Sequence, residues 1–123
     1  MIFNTRPRPK PRMTRADAWR KRECVLDYYS FKDEIKLQAR DYVLPCAFRV
    51  VFGVPFPRSY NASKREKLLG TPHQSKPDID NYLKAIMDVL SDNDSYIWKV
   101  EASKIWTSGD GFIQIDSLED ENN

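Results

Sequence analysis

Two aspartates and one lysine stand at the start of a helical pattern in SKPDIDNYLKAIMDVL, residues 75–90. Asp78 and Asp80 form a D-x-D, and Lys84 follows Asp80 at the spacing of one helical turn. In a regular helix a two-residue offset turns side chains about 200° apart, so the carboxylates converge only if Asp78 lies at the cap or in the preceding loop. Pro77 favours that position for Asp78.

A third carboxylate follows this helix. Asp94 stands just before a predicted strand, and if that strand pairs beside the start of the helix, Asp94 joins the D-x-D. Three convergent carboxylates form an oxygen-rich site suited to Mg²⁺ or Mn²⁺. Such an ion supports phosphodiester cleavage by activating water and stabilising charge, and Lys84 could contact the phosphate. The candidate metal ligands are therefore Asp78, Asp80 and Asp94, which together with Lys84 are the candidate catalytic residues.

The same residues also have an ordinary structural explanation. An aspartate at a helix N-cap and a second acid in the first turn stabilise the helix start, and Asp80 with Lys84 forms a common i, i+4 pair. Other chemistries have less support. His73 is the only histidine, which excludes a histidine-rich metal site, and neither a Walker loop nor G-x-G-x-x-G occurs. Cys24 and Cys46 lack metal-ligand spacing and are expected to be reduced thiols.

Charge is segregated along the chain, although the net charge is only +2. Residues 1–22 contain eight Lys or Arg and one Asp, whereas residues 92–123 contain eight acids and two lysines. A second basic stretch, Lys64, Arg65 and Lys67, lies in the polar segment 58–77. The pattern indicates a basic surface for a polyanion and a separate acidic region, and the alternative is a solvated tail at each end.

The elements predicted around these residues make one α+β domain, with helices packed on a small mixed sheet. RPRPKPR, residues 6–12, is expected to be an extended basic arm, because its prolines exclude a helix. No apolar run is long enough to span a membrane and no signal peptide is evident, so a cytoplasmic protein is expected. The predicted order is a basic segment 1–22, a helix from Ser30 to near Pro45, a strand over 48–54, a loop over 58–77, a helix over 79–90, strands over 96–106 and 112–116, and a frayed acidic tail over 117–123.

Read as one string, residues 55–90 resemble the RusA family of Holliday junction resolvases, particularly its phage and prophage members. The matching features are a proline-flanked strand end, the SYNASKR stretch (residues 59–65), Gly70 and His73 in the loop, and KPDIDNYLKAIMDVL from Lys76 to Leu90. RPKPRMTR, residues 8–15, is similar to the basic N-terminal segment of the family, and NDSYI aligns Asp94 with the second aspartate of its D-D-x-x-[IV] pattern.

The resemblance implies a homodimeric, Mg²⁺- or Mn²⁺-dependent endonuclease that makes paired nicks in four-way DNA junctions during recombination and repair. The family's catalytic carboxylates carry over onto Asp78, Asp80 and Asp94, and its essential lysine onto Lys84. Asn93 replaces the first aspartate of the third motif and the connection from Leu90 is short, so Asp92 is an alternative to Asp94. The expected DNA-binding residues are Arg8, Lys10, Arg12, Arg15, Lys64, Arg65, Lys67, His73 and Lys76.

Two further hypotheses stay open from the sequence. One is a catalytically silent protein that binds DNA junctions with the same fold. The other is a small protein whose acids only cap a helix and whose basic arm binds RNA or a protein partner.

Overall fold

A four-stranded mixed sheet forms the centre of the protein. The computed structural model describes residues 1–11 and 23–119. The strand order is β1-β4-β2-β3, in which β2 runs parallel to β3 and antiparallel to β4, and β4 runs antiparallel to β1. The strands are β1 (Ile2–Phe3), β2 (Ala47–Pro55), β3 (Lys99–Thr107) and β4 (Phe112–Ser117). The predicted α+β class with a small mixed sheet is confirmed, and so is the strand predicted over 48–54.

The helices of the described chain are α1 (Glu23–Ala39), α2 (Ala62–Leu68) and α3 (Ile79–Leu90), and a 3₁₀ turn covers Asp94–Tyr96. The bounds of α3 agree with the prediction. The predicted start of α1 at Ser30 is wrong, because buried Val25 and Tyr28 continue its apolar spacing towards the N-terminus. Its end near Pro45 is also wrong, since the helix ends at Ala39 and Arg40 has a φ of 50°. None of these helices is long and apolar enough to cross a membrane.

Helices α1 and α3 share one apolar core with the sheet. Phe48 and Phe52 of β2 are fully buried in the same cluster as Ile35 of α1 and Ile86 of α3. The ring of Phe52 lies 5.3 Å from that of Tyr82, measured between centroids. Each buried side chain of this size stabilises the fold by about 1.5–3 kcal/mol. The core therefore fixes α3, which carries the D-x-D at its start, against the sheet.

The segment 58–77 is ordered rather than a plain loop. It contains α2, and residues 70–73 then pair with the outer edge of β3. The amide of Gly70 donates to the Trp106 carbonyl at 2.9 Å, and that of His73 to the Lys104 carbonyl at 3.0 Å. This pairing covers the edge of β3 and places the end of the segment beside the start of α3.

The N-terminal arm, residues 6–11, is extended as predicted and continues from β1. Its inward and outward residues alternate from Phe3 to Lys10, with Thr5 and Pro7 buried and Arg6 and Lys10 exposed. Alternation with a period of two is the geometry of extended backbone. The cations of the arm therefore share its outward face. Arg12 and Arg15, which were predicted to bind DNA, lie outside the described residues.

Residues 117–119 are held by hydrogen bonds, whereas a frayed tail was predicted over 117–123. Ser117 belongs to β4, the amide of Leu118 donates to the Ala47 carbonyl at 2.9 Å, and the amide of Cys46 donates to the Glu119 carboxylate at 3.0 Å. The prediction is therefore wrong for residues 117–119, because backbone pairing with β2 extends to this point. Residues 120–123 lie outside the described part of the chain.

Candidate active site

Asp78 is the N-cap residue of α3, as the spacing predicted. Its backbone is extended, with φ −66° and ψ 149°, and its carbonyl accepts the first amide hydrogen bonds of the helix from Asn81 and Tyr82. Its carboxylate makes no capping hydrogen bond. The helix start therefore leaves this side chain available to another group, in contrast to an ordinary aspartate cap.

The loop that leads into Asp78 is fastened from β3. The Lys104 ammonium donates to the carbonyl oxygens of Ser75 and Pro77, the latter at 2.7 Å. The Lys76–Pro77 peptide bond between them is cis. The position of Asp78 is therefore set by contacts from the sheet as well as by the helix.

Asp80 and Asp94 line the same cavity, which has a volume of about 350 Å³. We call it the acid pocket; it is also lined by Lys10, Leu83, Lys84, Met87, Asp88, Ser91 and Asp92. The ammonium of Lys84 lies 3.8 Å from the Asp80 carboxylate, and both side chains are about two-thirds exposed (67% and 64%). A pair this exposed contributes little to stability, so both groups remain accessible to a ligand.

Asp78 lines a neighbouring cavity with Lys76 and Asn81. Lys10 borders both cavities, so the arm lies beside both halves of the D-x-D. Within residues 1–11 and 23–119, no group of three acidic, histidine or cysteine side chains is close enough to hold a metal ion. The predicted ligands are thus neighbours around Lys10, in two adjoining cavities.

Asp94 begins the 3₁₀ turn. The strand predicted from Tyr96 begins only at Lys99, because Tyr96 belongs to this turn. The Asn93 side chain accepts a hydrogen bond from the Ser95 amide at 3.1 Å, and the Tyr96 hydroxyl donates to the Leu44 carbonyl at 2.7 Å. Asn93, which departs from the family pattern, therefore caps the turn that presents Asp94. Asp92 lines the same pocket, so both alternatives for the third carboxylate face one cavity.

Asp88, which lines the acid pocket, links α3 to α1 and to the arm. The sequence did not reveal this role. Its carboxylate accepts a hydrogen bond from the Tyr28 hydroxyl at 2.6 Å and pairs with Lys10 at 3.2 Å and Lys32 at 4.0 Å. The hydrogen bond from Tyr28 is the main cause that lowers the pKa of Asp88, and Lys10 and Lys32 act in the same direction against burial. Burial, and next the Asp88 carboxylate, raises the pKa of Tyr28.

The amide of Lys10 also donates to the Asn81 carbonyl, at 3.3 Å. Its backbone and its side chain are therefore both attached to α3. The arm is joined to α1 in the same way, since the Arg8 guanidinium pairs with Asp27 at 3.2 Å and the Thr5 hydroxyl donates to Glu34. These contacts hold the predicted cations of the arm beside the predicted carboxylates.

The cations of α2 surround an aromatic cluster at the outer edge of the sheet. The ammonium of Lys64 lies 3.8 Å from the ring centroid of Tyr60, and the ring of Tyr60 lies 5.7 Å from that of Trp106. Arg65 donates to the carbonyls of Tyr60 and Pro57, at 2.9 Å and 3.2 Å. Lys64, Arg65 and Lys67 remain exposed, so this edge of the protein is basic.

His73 packs beneath this cluster and is only 4% exposed. Its ring meets that of Trp106 edge-on, with the centroids 4.3 Å apart, and no hydrogen-bond partner for its Nδ1 is found among the described residues. Burial, and next the charge of Lys104, lowers the pKa of His73. A ring this buried offers little surface to DNA, so His73 is left out of the DNA contacts proposed below.

One comparison with known proteins identifies the family of the chain. The family model for Endodeoxyribonuclease RusA matches residues 3–116 of the 123-residue chain. Comparison with curated proteins and with solved structures gave no match. The family match includes the arm, the D-x-D at the start of α3, and the turn that carries Asp94. The chain therefore belongs to the RusA endodeoxyribonuclease family.

Proposed function

We propose that this protein is a homodimeric, divalent-metal-dependent endonuclease that resolves four-way DNA junctions by paired nicks. Membership of the RusA family supports a nuclease that acts on junction DNA. The observation that carries the proposal is the position of Asp80, Lys84 and Asp94 around one pocket, with Asp78 in the adjoining cavity. Two-fold symmetry suits a substrate with two equivalent strands to cut. Such an enzyme would act in the cytoplasm of a bacterial or phage-infected cell.

The acidic side chains fit a hard divalent cation in their chemistry. Carboxylate oxygens are the ligands that Mg²⁺ and Mn²⁺ prefer, and the Asp78 carboxylate is not used to cap its helix. We assign Asp78, Asp80 and Asp94 as the ligands, with Asp92 as the alternative to Asp94. Since no three of the described acidic side chains are close enough to hold one ion in this structure, the bound ion would have to draw them together. When bound, the ion would stabilise negative charge at the scissile phosphate.

Two lysines of the chain bind and orient the phosphate in this proposal. The Lys84 ammonium lies beside Asp80 and projects into the acid pocket, where it can pair with a non-bridging phosphate oxygen as charge develops on it. Lys10 reaches the same pocket from the arm and is oriented by Asp88. Removing one such charge-stabilising group from an active site typically lowers the rate by about 10²–10³-fold.

Lys64, Arg65, Lys67 and Lys76 are proposed to contact the DNA backbone, together with Arg8 and Lys10. Lys10 and Lys76 border the cavities of the carboxylates, whereas the cations of α2 lie on the basic outer edge of the sheet. Contacts to phosphates would set the position of the junction and make its affinity dependent on salt, with no direct reading of base sequence.

The test is nicking of a labelled mobile four-way junction with Mg²⁺ or Mn²⁺, with linear duplex as the substrate control. We expect paired, junction-selective cuts that are lost in Asp80→Asn and in Asp94→Asn. Asp41→Asn removes an exposed carboxylate outside both cavities and serves as the matched control. Loss in Asp92→Asn but not in Asp94→Asn would make Asp92 the third ligand. A wild-type protein that bound the junction without cutting it under any metal would instead be a silent junction-binding protein.

A further inference from the structure

Four arginines line a third cavity, which contains none of the candidate metal ligands. It has a volume of about 830 Å³ and is bordered by Arg6 and Arg8 of the arm, Arg58 after β2, and Arg65 of α2. We call it the arginine groove. Two carboxylates, Glu34 and Asp110, also line it. The arginines outnumber them, so the groove carries a positive charge suited to an anion.

Two of the four arginines are already occupied in part. Arg8 pairs with Asp27, and Arg65 donates to the carbonyls of Tyr60 and Pro57. Arg6 and Arg58 are exposed, and neither forms an ion pair within the described residues. Their guanidinium groups can therefore bind a ligand without first breaking an ion pair to any residue of 1–11 or 23–119.

The carboxylates of the groove oppose this charge only weakly. Glu34 accepts the hydroxyl of Thr5, which holds it to the inward side of the arm. Asp110 lies in the turn between β3 and β4, next to Gly111, is exposed to solvent, and forms no ion pair among the residues that the structure describes. The pair Arg6 and Arg58 is thus the least compensated positive charge in the groove.

The arm connects the groove to the acid pocket. Arg6, Arg8 and Lys10 occupy alternate positions of extended backbone, so their Cα atoms are spaced roughly 6–7 Å apart along one face. Arg6 and Arg8 border the groove, whereas Lys10 borders the acid pocket. A linear polyanion that enters the groove can therefore continue along the arm to the carboxylates.

We propose that the arginine groove binds the phosphodiester backbone of the DNA strand that flanks the cleavage position, with Arg6 and Arg58 as its principal contacts. The proposal rests on the proposed junction-cleaving function, and it assigns that function a second phosphate site. Guanidinium groups suit the task, because they bind phosphate through two parallel hydrogen bonds and keep their charge at any physiological pH.

The first experiment measures binding of a fluorescein-labelled four-way junction by anisotropy in EDTA, over a series of salt concentrations. Arg6→Gln and Arg58→Gln are each expected to weaken binding and to reduce the slope of log K against log salt by about 1. Lys36→Gln, which neutralises an exposed cation of α1 outside the groove, is the matched control and should leave the slope unchanged. Slopes unchanged in both arginine variants would overturn the proposal.

The second experiment locates the contact on the DNA. Single methylphosphonates, which neutralise one phosphate each, are placed along the cut strand, and affinity is compared for the wild type and Arg6→Gln/Arg58→Gln. We expect neutral phosphates beside the cleavage position to weaken junction binding by the wild type. They should have little further effect on junction binding by the double variant. The assignment would be contradicted if no neutral position distinguished the wild type from the double variant, or if the position that did so were remote from the cleavage position.

These measurements need no metal and no cleavage, so they separate the two proposals. A protein that nicks junctions but shows neither effect has the proposed function without this groove. A protein whose salt slope depends on Arg6 and Arg58 but which never nicks DNA retains the groove and loses the nuclease. Arg6→Lys/Arg58→Lys, which keeps both charges, should recover most of the salt slope, and circular dichroism checks that each variant is folded.

Discussion

The ammonium group of Lys104 lies 2.7 Å from the carbonyl oxygen of Pro77, the residue before Asp78. It also donates to the carbonyl of Ser75, so one side chain of β3 holds both ends of the Lys76–Pro77 unit. A charged donor bound to two carbonyls stabilises a loop by more than a neutral hydrogen bond does. The relationship joins β3, an edge strand of the sheet, to the residue that begins the candidate metal site.

Lys104→Met should therefore loosen the loop of residues 75–77 that leads into Asp78. The methionine side chain fills similar space but cannot donate a hydrogen bond, and the expected cost is about 1–3 kcal/mol in the free energy of unfolding. We also expect a higher Mn²⁺ concentration for half-maximal nicking and partial recovery in Lys104→Arg. Lys99→Met, at an exposed position of the same strand, is the control. If Lys104→Met were less stable but needed the same Mn²⁺ concentration as the wild type, Lys104 would have a structural role only.

The start of α3 could be predicted because its signals are local. Pro77, the D-x-D and the apolar spacing from Ile79 to Leu90 all lie within a few helical turns. The groups that hold this site in place could not be predicted in that way. Lys104 is 27 residues from Pro77, and Lys10 is 78 residues from Asp88. Contacts between such distant positions depend on the sheet order, and no spacing in the sequence records them.

Two errors in the secondary structure have separate physical causes. Ser30 and Asp33 imitate a capping pattern inside α1, while the apolar spacing that continues to Val25 is the stronger signal. Helix α2 has no buried residue and therefore no apolar stripe to detect. It is held by its N-cap, because the Asn61 side chain accepts from the Lys64 amide at 2.8 Å. Polar helices of this kind are difficult to distinguish from loops by periodicity.

Removal of the Tyr28 hydroxyl should make stability depend less on the ionisation of Asp88. The pKa of Asp88 is lowered from 3.8, chiefly by this hydrogen bond, so its contribution is present above that pH and is lost as the pH falls through the lowered value. We expect Tyr28→Phe to cost about 1–2 kcal/mol in the free energy of unfolding at pH 7.

Urea unfolding at pH 7 and at pH 3 or below measures this effect. The difference between wild type and Tyr28→Phe should shrink at the acidic end, because a protonated Asp88 no longer attracts the hydroxyl as strongly. Tyr29→Phe changes the adjacent, exposed tyrosine and should have little effect at either pH. A difference that stayed constant with pH would show that the loss of the hydroxyl costs the same whether or not Asp88 is ionised.

The protonation of His73 should destabilise the fold. Burial and Lys104 lower its pKa below 6.5, so the unfolded chain binds the proton at a higher pH than the folded chain does. Stability must therefore fall as the pH decreases through about 6.5 towards the folded value. Because His73 is the only histidine, its ring protons can be followed by NMR without assignment.

Two results are expected from this residue. The NMR titration should give a pKa below 6.5, and His73→Phe should lose less stability than the wild type between pH 7 and pH 5. The comparison of pH dependences is unaffected by any constant packing cost of the larger ring. A measured pKa at or above 6.5 would show that the ring gains a hydrogen-bond partner or solvent in solution.

Gly111 determines whether the arm can lie across the turn between β3 and β4. Its φ is 98°, in the region that side chains disfavour, and an added Cβ would lie 2.8 Å from the Gly53 carbonyl oxygen and 3.2 Å from the Cα of Arg6. Gly111→Ala should therefore strain the turn by about 1–3 kcal/mol and displace Arg6 from the arginine groove.

Gly70→Ala provides a control with the same backbone strain and no steric contact. Its φ is 78°, and nothing lies within 4 Å of the added Cβ. Both variants should lower the midpoint of thermal unfolding, but only Gly111→Ala should also reduce the salt slope for junction binding in EDTA, because it alone moves the arm. If both variants reduced that slope equally, or neither did, the close approach of Arg6 to Gly111 would not control how the arm meets DNA.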